Sequence, residues 1–144
     1  MGVSGDALFN AVITALADAP FRPALNPGHL ISLDEWTHTP IREHSADLIA
    51  SGMALQCDII PSPMPNGQVL NCEDGVAIAD LSLRAELTTH YPALWQRIQA
   101  RRQFMHEALG LTLDESVLPL SNTCARLSPF WLAADLVCAV ATSP

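Results

Sequence analysis

The sequence predicts an α+β fold built around an antiparallel sheet, with helices packed on one side. Two observations predict this fold class. Residues 53–79 read as antiparallel strands joined by a turn that holds Pro61, Pro63 and Pro65. After residue 80 the strand pattern gives way to helical periodicity. A length of 144 residues suits one domain, so we treat residues 1–144 as a single unit.

Three helices are predicted. The first spans 5–18, where apolar residues recur every three to four positions and Ser4 or Asp6 can cap the start. The second spans 80–88 and begins with an aspartate N-cap. The third spans 92–109, with a proline in its first turn and a glycine at its end. We expect the solvent-exposed face of this third helix to consist of Arg97, Arg101 and Arg102.

Strands are predicted where short apolar runs lie between glycine and proline residues. The clearest strand spans 53–60, which a glycine precedes and a proline follows. Further strands are predicted near 29–33, 68–72 and 74–79. The remaining tail is irregular, with one more candidate strand at 135–141.

Composition and charge exclude several classes of partner. The chain has 15 acidic and 7 basic residues, a net charge of −8, and this acidity argues against nucleic-acid binding. No run of about 20 apolar residues is long enough to cross a bilayer. Met1 is followed by no basic segment, which argues against a signal peptide. We therefore expect a cytoplasmic protein that binds neither nucleic acid nor membranes.

The four cysteines are expected to be buried, reduced thiols. They are Cys57, Cys72, Cys124 and Cys138. No pair has the C-x-x-C spacing of a zinc ribbon or a redox motif, and all four lie in apolar or strand-like surroundings. Disulfides and metal ligation are the alternatives.

The residues that could carry chemistry are acidic and imidazole side chains within apolar strands. Asp58 lies between Cys57 and Ile59, where an ionised carboxylate is costly unless it is paired, hydrogen-bonded or bound to a cation. Glu73 precedes a similar run, and His29 opens another. One imidazole and two carboxylates on neighbouring strands are suitable ligands for Mn, Fe, Co or Zn. Each residue taken singly also fits a structural role, as a hydrogen-bonded histidine or a solvent-facing carboxylate.

The order of these residues resembles the C-terminal half of the pita-bread metallopeptidases. The motifs are Gly28-His29, then Gly52-Met53 leading to Asp58, then Glu73-Asp74-Gly75-Val76. The group includes aminopeptidase P, Xaa-Pro dipeptidase (prolidase), methionine aminopeptidase and the metal-free creatinase. The resemblance implies a partial pita-bread fold with a strongly curved sheet. Residues 1–80 would form the latter half of a catalytic domain, and 81–144 a mainly helical C-terminal extension.

The resemblance also implies roles for individual residues. His29, Asp58 and Glu73 would be the metal ligands, for Mn, Co or Zn, and no other cofactor is implied. Glu73 would bridge two metal ions and help to move the catalytic proton. His38 falls two residues late for the second histidine of the family, and would bind substrate or shuttle a proton. The catalytic residues implied are therefore Glu73 and His38.

Two departures from the family pattern bear on activity. Asp58 is followed by Ile59, where the family has Glu-Pro-Gly. The two upstream aspartate ligands have no counterpart, because only 28 residues precede His29. The sequence thus predicts a truncated or partial metallopeptidase that carries three of five ligands and has no assured activity or bound metal. The complete enzyme would hydrolyse a peptide or small amide.

Two alternatives remain open. The chain could be a non-catalytic, creatinase-like or peptidase-like module for binding or interaction. It could also be an unrelated small α+β protein with a chance motif. For the half-domain reading we expect a homo-oligomer, because a half-domain exposes a sheet edge and apolar surface.

Overall fold

The computed structural model describes residues 1–34, 39–68 and 70–121. The helices in these ranges are α1 (Gly5–Ala15), α2 (Leu81–His90) and α3 (Pro92–Leu109). The strands are β1 (Arg22–Pro23), β2 (Gly28–Leu30), β3 (Ala54–Ile59), β4 (Pro61–Ser62), β5 (Cys72–Ile78) and β6 (Val117–Pro119). Mixed helices and antiparallel strands confirm the predicted α+β class.

A four-stranded antiparallel sheet organises the molecule. Its strand order is β2-β3-β5-β6, and β1 pairs separately with β4. β3 is hydrogen-bonded on both sides, with β2 along one edge and β5 along the other. The register is fixed by pairs such as His29 opposite Gln56 and Asp58 opposite Glu73. β3 therefore lies at the centre of the part of the fold that carries the predicted site.

Two buried clusters lie on opposite faces of the sheet at the end of β5. The first, against which Leu8 of α1 packs, consists of Ile49, Leu55 and Ile78. The second, against which Ala77 packs, consists of Ala79, Ile98 and Leu118. Because Ala77 and Ile78 point to opposite faces of a strand, α1 and α3 lie on opposite faces at this end of the sheet. The predicted packing of helices on one side only is therefore wrong at this end of the sheet.

The termini of α1 depend on side chains. Its N-cap Ser4 accepts a hydrogen bond from the backbone N–H of Ala7 at 3.2 Å. The helix ends at Ala15, before the predicted end at residue 18. Pro20 has no N–H to donate to the carbonyl of Leu16. That oxygen accepts instead from the Ala19 N–H at 3.1 Å and from the Arg22 guanidinium at 3.0 Å.

The strands differ from prediction mainly around the proline-rich loop. Instead of strands at 68–72 and 74–79, there is a single strand, β5. Asn66 has a left-handed backbone conformation (φ 56°) inside a 3-10 turn, and the chain joins the sheet only at Cys72. β2 ends at Leu30, short of the predicted 33, and β6 lies in a tail predicted to be irregular. The candidate strand at 135–141 lies outside the described residues.

The arginines of α3 are not a solvated face, which corrects the sequence prediction. Arg101 is buried and stacks over the ring of Phe104, 5.2 Å from its centroid. Arg102 donates to the carbonyl oxygens of Leu113 and Asp114, at 2.9 and 2.8 Å. Arg97 donates to the carbonyl of Leu120 at 3.2 Å. The guanidinium groups of Arg97 and Arg102 thus link α3 to the segment around β6.

Candidate functional site

His29 lies on β2 and is buried, with 7% of its surface exposed. Its Nδ1 lies 2.9 Å from the carbonyl oxygen of Leu30. Since a carbonyl oxygen only accepts, Nδ1 carries the proton in this contact. Nε2 lies 3.8 Å from Oδ2 of Asp58. A backbone carbonyl that fixes Nδ1–H and orients Nε2 is the arrangement usual for a metal-binding histidine, although it also serves structural histidines.

Asp58 is a buried carboxyl group on the central strand. It is 5% exposed, and its Oδ1 is buried without a hydrogen-bond partner in the described part of the chain. Burial raises the pKa of Asp58 and the neighbouring Glu73 raises it further, while His29 opposes the rise. The sequence prediction that this carboxylate is costly therefore has a clear physical basis.

Glu73 lies on β5, directly opposite Asp58. Its two oxygens accept hydrogen bonds from amide groups: Oε2 from Nε2 of Gln56 and Oε1 from Nδ2 of Asn71, each at 3.0 Å. These bonds hold the carboxylate in one orientation. In the structure Glu73 therefore belongs to an amide–carboxylate network as well as to the acidic pair with Asp58.

His29, Asp58 and Glu73 share one face of the sheet. His29 is opposite Gln56, which lies two residues before Asp58, and Asp58 is opposite Glu73. Residues opposite one another, and residues two apart on a strand, project to the same face. Cys57, Ile59 and Asp74 consequently project to the other face. Gln56 is the member of this group that the sequence analysis missed, and its spacing from Asp58 is the signal that could have found it.

The three side chains nevertheless form no ready-made metal site. Among residues 1–34, 39–68 and 70–121, no group of three or more His, Cys, Asp and Glu side chains is arranged to hold a metal ion. The pair of His29 and Asp58 brings one nitrogen and one oxygen, Nε2 and Oδ2, to 3.8 Å. Glu73 would have to exchange its amide partners for a metal ion to complete the predicted set. His38, the other predicted catalytic residue, lies outside the described residues.

An apolar cleft adjoins the imidazole. Its volume is about 590 Å³, and its walls include Phe9 and Ile13 of α1, Leu25, and Gly28 and His29 of β2. Arg22, Asn26 and Thr39 also line the cleft, and mostly apolar walls with a few polar groups are typical of small-molecule sites. The cleft therefore gives His29 a place to meet an apolar ligand.

Two of the cysteines contradict the sequence prediction. Cys57 and Cys72 are exposed thiols, not buried ones. Both lie on strands near the end of the sheet where Ile59 pairs with Cys72, and the sheet leaves their face open there. Cys124 and Cys138 lie outside the described residues.

Comparison of the chain with protein-family models, with curated proteins and with solved structures finds no match. No helix within the described ranges is long and apolar enough to span a membrane.

Proposed function

We propose that the chain carries part of a metallopeptidase-like catalytic domain, with a partial site for one divalent metal ion at His29, Asp58 and Glu73. The observation that supports this proposal is the shared face of these three residues on three adjacent strands. The same three residues occupy the family-like motifs of the sequence. The finer pita-bread architecture belongs to the same proposal.

The donor set fits such an ion in part. His29 offers Nε2, Asp58 offers an oxygen that is buried without a partner, and Glu73 lies opposite Asp58. Two acidic groups beside one another repel when both are ionised, and a bound cation relieves that repulsion. A divalent ion at this position would supply polarisation of a carbonyl group and activation of water.

The residues of the chain would contribute binding and proton handling. His29 and Asp58 would hold the ion, with the imidazole oriented by its bond to the Leu30 carbonyl. Glu73 would accept a proton at Oε2, the atom that Gln56 now holds. Three ligands leave open coordination positions, so we expect modest affinity and peptidase activity near background. The substrate would be a peptide or small amide whose apolar part occupies the cleft beside His29.

Manganese binding tests the proposal, because Mn²⁺ prefers oxygen and nitrogen ligands and so avoids the thiols on the other face. By calorimetry at pH 7.5, we expect one Mn²⁺ per chain, with affinity lowered about 10-fold or more by His29→Ala and by Glu73→Ala. The matched control is Asp74→Ala, which removes the adjacent carboxylate from the opposite face and should leave the affinity unchanged.

Two further measurements sharpen the test. Affinity should fall as pH is lowered, because the ligands must release protons to bind a metal. Hydrolysis of Xaa-Pro peptides should stay near background with Mn²⁺, Co²⁺ or Zn²⁺. Equal weakening by Asp74→Ala, or no Mn²⁺ binding at all, would contradict the metal site. Robust turnover that depends on Glu73 would contradict the partial-site reading.

A specific observation also favours the second candidate, a non-catalytic binding module. Glu73 is held by Gln56 and Asn71, and the cleft beside His29 is mostly apolar. A module of this kind would bind an apolar ligand in the cleft without metal. Ligand binding that survives Glu73→Ala and a chelator, but is lost in a Phe9→Glu variant, would favour it.

A further inference from the structure

A second set of donor groups lies on the face of the sheet opposite Asp58 and Glu73. Cys57 on β3 is directly opposite Asp74 on β5, and Cys72 lies two residues before Asp74. The alternation of side chains along a strand gives Cys57, Cys72 and Asp74 the same face. Both thiols are exposed to solvent, so a ligand can reach them from outside.

The two thiols and the carboxyl group repel one another when they are ionised, because all three then carry negative charge. The pKa of Cys57 is raised by desolvation first, and then by Cys72 and Asp74. Asp74 Oδ1 is buried and lacks a hydrogen-bond partner in the described part of the chain. Burial raises the pKa of Asp74, and the Arg101 guanidinium and the Gly75 N–H lower it. Every influence on Cys57 raises its pKa, so a cation bound between the two sulfurs would stabilise their ionised forms.

The register decides which ligand suits the two sulfurs. Cys57 and Cys72 are diagonal neighbours across the strand pair, and such neighbours have Cα atoms about 7–8 Å apart. A disulfide requires Cα atoms within about 6.8 Å and sulfurs about 2.05 Å apart. A metal ion bound by both thiolates, with bonds of about 2.3 Å, instead lets the sulfurs lie as much as about 4.6 Å apart. The diagonal pairing thus suits an ion between the sulfurs better than a direct S–S bond.

We propose that Cys57 and Cys72 together bind one soft, thiophilic metal ion of the Cu⁺ class. Thiolates select such ions over harder cations. Two-coordinate binding needs only the two sulfurs, so it does not require the group of three ligands that the described residues lack. Each thiol releases its proton to solvent as its sulfur binds the ion, and no redox change occurs.

The experiment uses the full-length chain with Cys124→Ser and Cys138→Ser, so that only the two thiols in question remain. The reduced protein is titrated with Cu⁺ without oxygen, in competition with a chromophoric Cu⁺ chelator. We expect one ion per chain and ultraviolet thiolate-to-metal absorption. Cys72→Ser should lower the affinity at least about 100-fold, the usual gain from linking two binding groups.

A matched variant keeps two thiols but separates them. Asn71→Cys combined with Cys72→Ser moves one thiol to the face of Glu73, because the Asn71 side chain contacts Glu73 there. This variant should bind Cu⁺ no better than Cys72→Ser alone, and circular dichroism verifies that each variant is folded. Parent-like affinity in either variant would overturn the proposal. So would a stoichiometry of one Cu⁺ per two chains in the titration of the parent. Because Mn²⁺ avoids thiolates, a failure of Cu⁺ binding would not bear on the proposed Mn²⁺ site at His29.

Discussion

The carboxyl group of Asp58 is buried next to a second carboxyl group, that of Glu73. Because the pKa of Asp58 is raised in the folded protein, the free energy of unfolding depends on pH in a known direction. The unfolded chain titrates this group near 3.8, and the folded chain titrates it at higher pH. The stability linked to this group is therefore fully present below pH 3.8, and is lost as pH rises through the folded pKa.

Asp58→Asn should therefore stabilise the metal-free protein at pH 7. The variant removes a buried charge, and its amide can donate a hydrogen bond where the carboxylate could not. We expect a gain of about 1–2 kcal/mol, on the order of 5 °C in Tm for a domain of this size. Scanning calorimetry at pH 7 and pH 4 measures it, and the gain should shrink at pH 4. Asp18→Asn, at an exposed position after α1, is the control and should not change Tm. A less stable Asp58→Asn protein at pH 7 would contradict the argument.

At the scale of elements, the pairing of β2 with β3 depends on the absence of a side chain at Gly28. A Cβ there would lie 2.5 Å from the carbonyl oxygen of Gln56 and 2.9 Å from Cδ1 of Ile41. The Gln56 carbonyl belongs to the central strand, so it has little freedom to move. Gly28→Ala should destabilise the protein by about 1–3 kcal/mol, measured by urea unfolding with an unchanged m-value.

Gly75→Ala is the matched control, because this glycine lies in the same sheet. A Cβ at Gly75 would meet its nearest atom, Cδ1 of Ile31, at 3.4 Å, an ordinary contact distance. The control should stay within about 0.5 kcal/mol of the parent. Equal losses in the two variants would show that any side chain in this sheet is harmful, and that the close approach at Gly28 is not the cause.

Helices and strands were predictable where one local signal decided them. α3 spans the predicted 92–109, because a proline begins it and Gly110 in the left-handed conformation ends it. β6 was missed because its three residues depend on pairing with β5 and on Arg102, which donates to the Val117 carbonyl at 2.5 Å. For the candidate site, alternation along β3 was readable from sequence. The hydrogen bond from the Gln56 amide to Glu73 depends on the register of β3 and β5, and no local sequence pattern encodes a register.

At the scale of the whole molecule, large apolar side chains remain exposed in the described residues. The most exposed are Leu33, fully open beyond β2, and Leu81 at the start of α2, at 102% and 75%. We expect self-association through the apolar surface at Leu33, because exposed apolar surface favours contact with a second copy. Strand pairing along β2 is not expected, since the carbonyls of Gly28 and Leu30 already accept hydrogen bonds from Thr39 and His29. Light scattering at high micromolar concentration, in about 0.15 M salt to screen the net charge, should give a mass above 15.5 kDa.

Two matched substitutions locate the surface that associates. Leu33→Glu should shift the protein toward the monomer, and Leu81→Glu should not. A monomer of 15.5 kDa for the parent would refute the prediction. A dimer that is broken only by Leu81→Glu would move the interface to the start of α2.

Cys57 and Asp58 are consecutive residues of β3, so a thiol on one face of the sheet and a carboxyl group on the other are encoded by adjacent codons. A missense change alters one face of the sheet and leaves the other intact. An in-frame insertion or deletion of one codon earlier in β3 would instead exchange the faces, and would turn the carboxylate toward the thiol of Cys72. Among the descendants of this gene, the length of β3 should thus vary less than the identity of either residue.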